Sequence, residues 1–404
     1  MHYYVGLDLG DTQHSVAVMN QNYALVHEST VKNDQVGMKA LVAVLQSWPD
    51  VHLIAEQPNG LFVENLVAQG YDVWHIPPKV AHQRQVGESK DDRRDARLLA
   101  QLLCRRDIYS RPVALSSPET QAVAQLVHAY EHLQSEQLAM TGQLRAILKR
   151  YYPIATRLFS RLNQPLTLAF LVVYPTPEAA QAASLEDLTT FFKEQSYRYM
   201  DRVPTLYAHL QSPQLKAAVT SGYETMVQAW IACLHEMNQS LKQIKKQLIA
   251  ACQAHPEYAW WRALPGVGLL TAARLITYIG DNRDRFPTPE SLQMLAGTAP
   301  VTRQSGKKKV VSFRLGCDRA LRRTATDLAR LSVTKSTWAR DYFEQQRTAG
   351  HDVPRAYRAL ANRWLKIIWT IWQRREAYDE AKHIANRERH LITPSLPSVL
   401  QISA

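Results

Sequence analysis

Cysteine is scarce in this 404-residue chain: Cys104, Cys233, Cys252 and Cys317 form no C-x-x-C pair. That spacing argues against a zinc ribbon or a disulfide scaffold and suits a reducing cytoplasm. Long apolar runs are missing too. The longest, near Leu166–Tyr174, falls short of the about 20 residues that a membrane-spanning helix needs. The opening MHYYVGLDLG runs straight into a strand pattern, with none of the layout of a signal peptide. No G-x-x-x-x-G-K-[ST] loop occurs, which argues against a P-loop ATPase. Glycine-rich motifs of the kind an actin-like sugar kinase needs downstream are absent as well. No internal repeat or low-complexity tract interrupts the chain, and its 46% hydrophobic and 21% charged content is that of a soluble globular protein.

Positive charge is plentiful. The net charge is +12, and residues 301–330 alone hold nine Lys/Arg against two Asp. Scattered charge solvates a surface, but a block this dense points to a polyanion such as nucleic acid.

Three textures follow one another along the chain. Residues 1–115 alternate short apolar runs, read as strands at Tyr3–Leu9, His14–Met19, Ala24–Thr30, His52–Glu56 and Val73–Ile76, with helices over about Gly37–Ser47, Leu61–Ala68 and Asp92–Arg105. This pattern predicts an α/β layer with a mixed sheet. Residues 116–256 carry two long, roughly heptad-spaced runs, one of about 34 residues before Pro153 and one from about Pro213 to Cys252. They read as a coiled-coil-like arm, or as two core helices of a bundle. Residues 257–385 are expected to be mostly helical. They contain a Gly-punctuated turn at LPGVG, an apolar helix ending at Gly280, and a last helix from about Pro354 to His383. Trp364, Trp369 and Trp372 on that helix are expected in the core rather than as stacking platforms. The Ser/Pro-containing segment 386–404 is expected to be poorly ordered.

Four acids stand out. Asp8 lies in YVGLDLG, Glu56 closes VHLIAE, and Asp92 and Asp95 lie in KDDRRDARLLA. Carboxylates at strand ends project where open α/β sheets hold ligands, and an i, i+3 pair shares one helix face. Hard oxygen ligands without Cys or His suit Mg²⁺ or Mn²⁺, and two such ions would serve phosphodiester chemistry. The plain alternative is a turn aspartate at Asp8 and surface ion pairs of Asp92 and Asp95 with Arg93, Arg94 and Arg97.

Taken in order, GLDLG, IAE and the stretch Lys90 to Ala100, followed by LPGVGLLTA, IGDNRDRF, LAGTAP and RQSGKKK, resemble the insertion-sequence 110 family of DEDD transposases, also called bridge-RNA-guided recombinases. The resemblance covers about residues 3–380. It implies an RNase H/RuvC-like N-terminal domain whose Asp8, Glu56, Asp92 and Asp95 hold Mg²⁺. It also implies a C-terminal transposase domain in which Ser305 is the nucleophile. Strands would then be cut and rejoined through a covalent phosphoserine. The implied partners are double-stranded donor and target DNA, a structured noncoding guide RNA, and further copies of the chain in a dimer or tetramer. The implied setting is the bacterial cytoplasm, at the nucleoid. On residue chemistry alone, Ser305 is a hydroxyl among Arg303, Lys307, Lys308 and Lys309, with Arg314, Arg322 and Arg323 close by in sequence as further phosphate contacts. An ordinary Ser–Gly turn in a DNA-binding loop fits those residues too. Two departures from the family pattern stand here: no lysine lies near Asp11, and Glu56 is followed by Gln57-Pro58-Asn59-Gly60, with the glycine one place late. A metal-dependent junction nuclease attacking with water, or a DNA-binding protein without activity, are the alternatives.

Overall fold

The computed structural model describes residues 1–57, 60–76, 91–105, 112–213, 217, 219–305 and 308–392. The backbone divides into two compact units, Met1–Ser117 and Pro118–Ala404.

In the first unit, β1 (Tyr3–Leu9), β2 (Gln13–Asn20) and β3 (Leu25–Lys32) form an antiparallel meander. β4 (Val51–Ala55) lies parallel to β1, and β5 (Val73–His75) parallel to β4, giving the order β3-β2-β1-β4-β5. Each predicted strand and helix of this unit is present to within two residues at either end. One face of the sheet buries Val5, Leu7, Val16, Val18, Leu53 and Ala55 with residues of helices α1 (Gln35–Gln46) and α2 (Leu61–Ala68). The other face carries helix α3 (Asp92–Cys104). Its Leu99, Leu102 and Leu103 pack with Tyr4, Ile54 and Ile76.

Gly6 sets how closely α3 can approach. A Cβ there would lie 1.9 Å from the Ala96 carbonyl oxygen and 2.7 Å from the Ala100 nitrogen, so only glycine fits. Gly6, Ala17 and Glu28 form one row across three strands by register. At the end of that row Glu28 takes the Arg97 guanidinium of α3 through bonds of 2.5 and 2.7 Å. A small residue, a small residue and an ion pair thus seat the helix.

Among the described residues, the second unit is helical apart from one hairpin. Helices α4 (Pro118–Tyr151) and α5 (Ser221–Ala254), 34 residues each, pair antiparallel. At one end of the pair, Val123, Val127, Leu248 and Cys252 join a core built with residues 261–378. At the other, Leu144, Leu148, Val227 and Ile231 join a separate core of the intervening helices. Between the two cores the pairing turns polar. The buried Gln137 donates to the Asn238 side chain at 2.8 Å, Asn163 donates to Gln137 at 3.0 Å, and Asn238 donates to the Asn163 carbonyl at 2.9 Å.

Beyond α5 come α6 (Leu269–Ile279), α7 (Pro289–Leu295), the hairpin β6 (Val301–Ser305) and β7 (Lys308–Ser312), α8 (Arg319–Ser332), α9 (Thr337–Thr348), α10 (Val353–Arg374) and α11 (Glu380–Ile392). The basic block opens on a two-stranded antiparallel ribbon. Two expectations are corrected here. The single last helix breaks at Arg375, which adopts a left-handed φ of +56°. Segment 386–404 is helical as far as Ile392, and residues 393–404 lie outside the described residues. The tryptophans are core, as expected. Trp364 and Trp372 are fully buried, and the three indole N–H groups donate at 2.8 Å to the Ser332 hydroxyl (Trp364), the Phe286 carbonyl (Trp369) and the Gly280 carbonyl (Trp372).

Candidate functional site

Register places Asp8 and Glu56 beside each other. Leu7 of β1 pairs with Ala55 of β4, so the next residues, Asp8 and Glu56, leave adjacent parallel strands at the same level. Leu7 and Ala55 face the core under α1 and α2. Strand alternation therefore turns Asp8 and Glu56 to the opposite face, the one covered by α3. Asp8 also pairs with Ser15 of β2, which is buried on that same face.

Helix α3 runs against the direction of β1. Its Ala96 lies over Gly6, while Cys104 at its far end reaches the Asn20 carbonyl beside the start of β1. Four residues of helix rise about 6 Å and two residues of strand advance about 6.6 Å, which brings the first turn of α3 back to about the level of Asp8. That first turn carries Asp92 and Asp95, and Asp91 caps it by accepting the Arg93 N–H at 3.2 Å. All four acids thus stand at one edge and on one face of the sheet. Among the described residues, however, no three of them come within 4.8 Å of one another; the only such group of His, Cys, Asp or Glu is His2, Asp50 and His52.

Of the arginines weighed as partners of Asp92 and Asp95, one has a described partner elsewhere. Arg97 is committed to Glu28, and it holds the Glu28 carboxyl below the usual carboxylate range. Gly60, the late glycine after Glu56, caps α2 at a φ of +128°, a backbone region where a side chain would be strained. The shifted glycine therefore sits where the turn needs it; Pro58 and Asn59 lie outside the described residues. His75, which sequence reasoning missed, stands at the end of β5 opposite Ala55. Burial lowers its pKa while the neighbouring Glu56 charge raises it. Only the register of four strands brings His75 and Ser15 to this edge, and no local motif signals either.

In the second unit Ser305 is the last residue of β6 and pairs through its backbone with Lys308 of β7. Gly306 and Lys307 lie outside the described residues, and Arg303, Ser305, Lys308 and Lys309 are described by their backbone alone. The basic residues after the hairpin divide into two groups. Arg314 donates to the Ala299 carbonyl at 3.3 Å. Arg322 donates to the Ala296 carbonyl at 3.4 Å and to the Arg314 carbonyl, with its guanidinium 4.3 Å from the Phe313 ring centre. These two arginines pin the hairpin to α8. Arg319, Arg323 and Arg330 instead form an exposed ridge along α8, with Arg323 and Arg330 flanking Asp327. Arg323 was expected as a phosphate contact; Arg319 and Arg330 were not singled out, although their i, i+4, i+11 spacing marks one face.

The motif IGDNRDRF proves to be a structural clamp. Arg283 pairs with Glu257 and lies 4.6 Å over the Trp372 ring centre. Arg285 donates to the Tyr278 and Ile279 carbonyls, each at 3.0 Å, and Phe286 is core. Asp281 accepts from Thr120 at 3.0 Å. The buried His255 accepts the Glu257 N–H on Nδ1, which leaves Nε2 to donate to the Thr120 hydroxyl at 2.9 Å.

Comparison with known proteins identifies the family. Residues 5–153 match the DEDD transposase family of IS110 type, and residues 261–344 match the IS116/IS110/IS902 transposase family; together the two matches cover more than half of the chain. The chain belongs to the IS110 family of transposases. It is 26% identical to the mini-circle protein of IS117 from Streptomyces coelicolor, over 95% of this chain and 96% of that protein. It is 22% identical to the transposase for insertion sequence element IS1111A from Coxiella burnetii, over 75% of this chain and 71% of that one. As a member of this family the enzyme acts on DNA, and a DEDD domain points to dependence on a divalent metal ion. No helix among the described residues is long and apolar enough to cross a membrane.

Proposed function

We propose that this transposase cuts and rejoins DNA strands through a covalent phosphoserine on Ser305, with Asp8, Glu56, Asp92 and Asp95 as its metal-binding residues. The observation that carries the acidic half is register: two carboxylates leave neighbouring parallel strands together, and a helix seated on Gly6 returns two more to the same edge. The strand order 3-2-1-4-5 supports an RNase H/RuvC-like reading of this unit. The donors are all carboxylate oxygens, which fits Mg²⁺ or Mn²⁺. Four carboxylates at one edge repel one another, and a hard divalent cation is the group that would draw them together. When bound, it supplies charge stabilisation to the phosphodiester and its leaving oxygen.

The chain's own residues account for the rest. The Ser305 oxygen forms a bond to phosphorus, the phosphorus–sugar oxygen bond breaks, and the serine proton leaves as the sugar oxygen gains one. A free sugar hydroxyl then attacks the phosphoserine, restoring a phosphodiester and returning the serine. One ester replaces another at each step, so no nucleotide cofactor is needed. The ridge Arg319, Arg323 and Arg330, together with the hairpin cations Arg303, Lys307, Lys308 and Lys309, would hold the DNA backbone. Arg314 and Arg322 act by holding that hairpin in place. Residues 116–256 form the helical, coiled-coil-like segment through which copies assemble, and residues 257–385 form the transposase domain proper. Recognition of target and donor by a structured noncoding RNA is consistent with a strongly basic chain that carries no zinc-finger or RRM reader.

The test is a trapping assay on DNA carrying the element's ends. With Mg²⁺ the native protein forms a denaturant-resistant adduct, and Ser305→Ala and Asp8→Ala both lose it. Cleavage without any adduct would replace this reading with a nuclease that attacks with water, and an adduct in Ser305→Ala would rule out this serine.

A further inference from the structure

At the other end of the first sheet from the acidic edge, His2, Asp50 and His52 converge. Each offers one ligand atom, and the three atoms lie within 4.8 Å of one another. His2 Nδ1 is 2.5 Å from one Asp50 oxygen, and His52 Nε2 is 3.3 Å from the other. The two imidazoles face each other with ring centres 5.9 Å apart and planes at 29°.

The cluster follows from strand register. Tyr3 pairs with Val51 and Tyr4 with His52, so the residue before β1 meets the residue before β4. Asp50 is held in place by its main chain, where its carbonyl accepts the Tyr3 N–H at 2.9 Å. Its φ of +92° is a region that side chains rarely adopt. The carboxylate therefore sits between the histidines on a backbone that costs energy to hold, a pattern that recurs at functional positions.

We propose that His2, Asp50 and His52 bind a divalent transition ion of the zinc class and tie the residue before β1 to the head of β4. The donor set decides the class. Two imidazoles with one carboxylate form a borderline-soft site that favours Zn²⁺, Co²⁺ or Ni²⁺ over Mg²⁺, the reverse of the all-carboxylate edge. An ion about 2.1 Å from each donor would hold tetrahedral ligands about 3.4 Å apart, which matches the His52–Asp50 separation and requires the 2.5 Å His2–Asp50 contact to open by about 0.9 Å. Six strand residues at about 3.3 Å each put His2 about 20 Å from Asp8, so this site and the acidic edge do not share an ion.

The experiment uses the full-length protein stripped by a chelator and then titrated with Co²⁺ in excess Mg²⁺, without DNA. The expected result is one equivalent of Co²⁺ with a visible ligand-field band that Zn²⁺ displaces. His2→Gln, Asp50→Asn and His52→Gln should each weaken binding about tenfold or more. Zn²⁺ should raise the unfolding midpoint of the native protein and leave that of the variants unmoved. Absence of the band in native protein overturns the proposal, as does a band of unchanged affinity in both histidine variants. A cluster that only exchanges protons would give no band and a midpoint insensitive to chelator, which also overturns it. His2→Gln lies outside the strands, so it remains readable if His52→Gln fails to fold. Because binding is read without DNA, its failure leaves the reading of Asp8 and Ser305 untouched.

Discussion

In the unit Met1–Ser117 the acids singled out for chemistry stand where elements end, at the tips of β1 and β4 and in the first turn of α3, positioned by backbone register. In Pro118–Ala404 the charged residues of the most motif-like segments turn inward. Arg274 is buried and bonded to Glu131 at 2.6 Å, with Tyr278 donating to the same carboxylate, and Arg283 is paired with Glu257. Identical side-chain chemistry thus serves two purposes. Where the fold places charge at an element end, it gathers it along one edge of the sheet. Where the fold packs charge between helices it is consumed in fixing them. A charged motif in sequence does not distinguish these cases; the register and packing around it do.

Variants can break that contrast or sharpen it. The largest effect is expected from Asp8→Ala, which should lower strand cleavage by at least about 10³-fold while DNA binding persists, measured side by side on one substrate. Equal loss of cleavage and folding would place Asp8 with the structural charges instead. Glu131→Leu should act in the opposite sense. It removes the nearer of the two carboxylates that pair with the buried Arg274, leaving only Asp327 at 3.9 Å, and should cost about 3 kcal/mol of stability in denaturant unfolding, whereas Glu131→Leu combined with Arg274→Met should recover much of that loss. Gly6→Ala is a smaller change. A methyl group against the Ala96 carbonyl must push α3 away, costing about 1–3 kcal/mol and moving Asp92 and Asp95 off the edge. Cleavage should therefore fall further than stability alone explains, and a proportionate fall would count against α3 as a carrier of site residues.

The mildest test is pH. Burial lowers the His255 pKa, against the raising effect of Glu257, Asp281 and Glu119. The folded state therefore favours the neutral ring. Its contribution is complete above the unfolded value of about 6.5 and is lost as the pH falls toward the folded value. Stability should decline on acidification through that window, and His255→Gln should flatten the decline.

The first unit was legible because its strands are short apolar runs bounded by Gly, Asp and Asn, and because YVGLDLG and HLIAE display their acids at the boundary. The meeting of Asp8 with Glu56 was implied there but required the Leu7–Ala55 pairing to become geometry. In the second unit the two long helices, the helix ending before Gly280 and α10 followed from periodicity, yet the ribbon Val301–Ser312 did not. Its strand residues include three Lys/Arg, and its alternation is hidden by the Lys307–Lys309 run. Arg322 looked like a phosphate contact because nothing local shows that Gly297, at a φ of +64°, lets its guanidinium approach the backbone. The break at Arg375 was invisible for a related reason: the chain turns there without glycine or proline.

The polar layer of Gln137, Asn163 and Asn238 bears on how the helical pair carries load. An apolar seam can slide by a turn and find new neighbours of similar kind, but this layer has one alignment in which its three amides satisfy one another. A slip of either helix would leave buried donors and acceptors empty, each at a cost of about 1–3 kcal/mol. The pair therefore acts as a strut of set length, about 50 Å for 34 residues. A push on the core at one end arrives at the other as displacement and is not absorbed as slack.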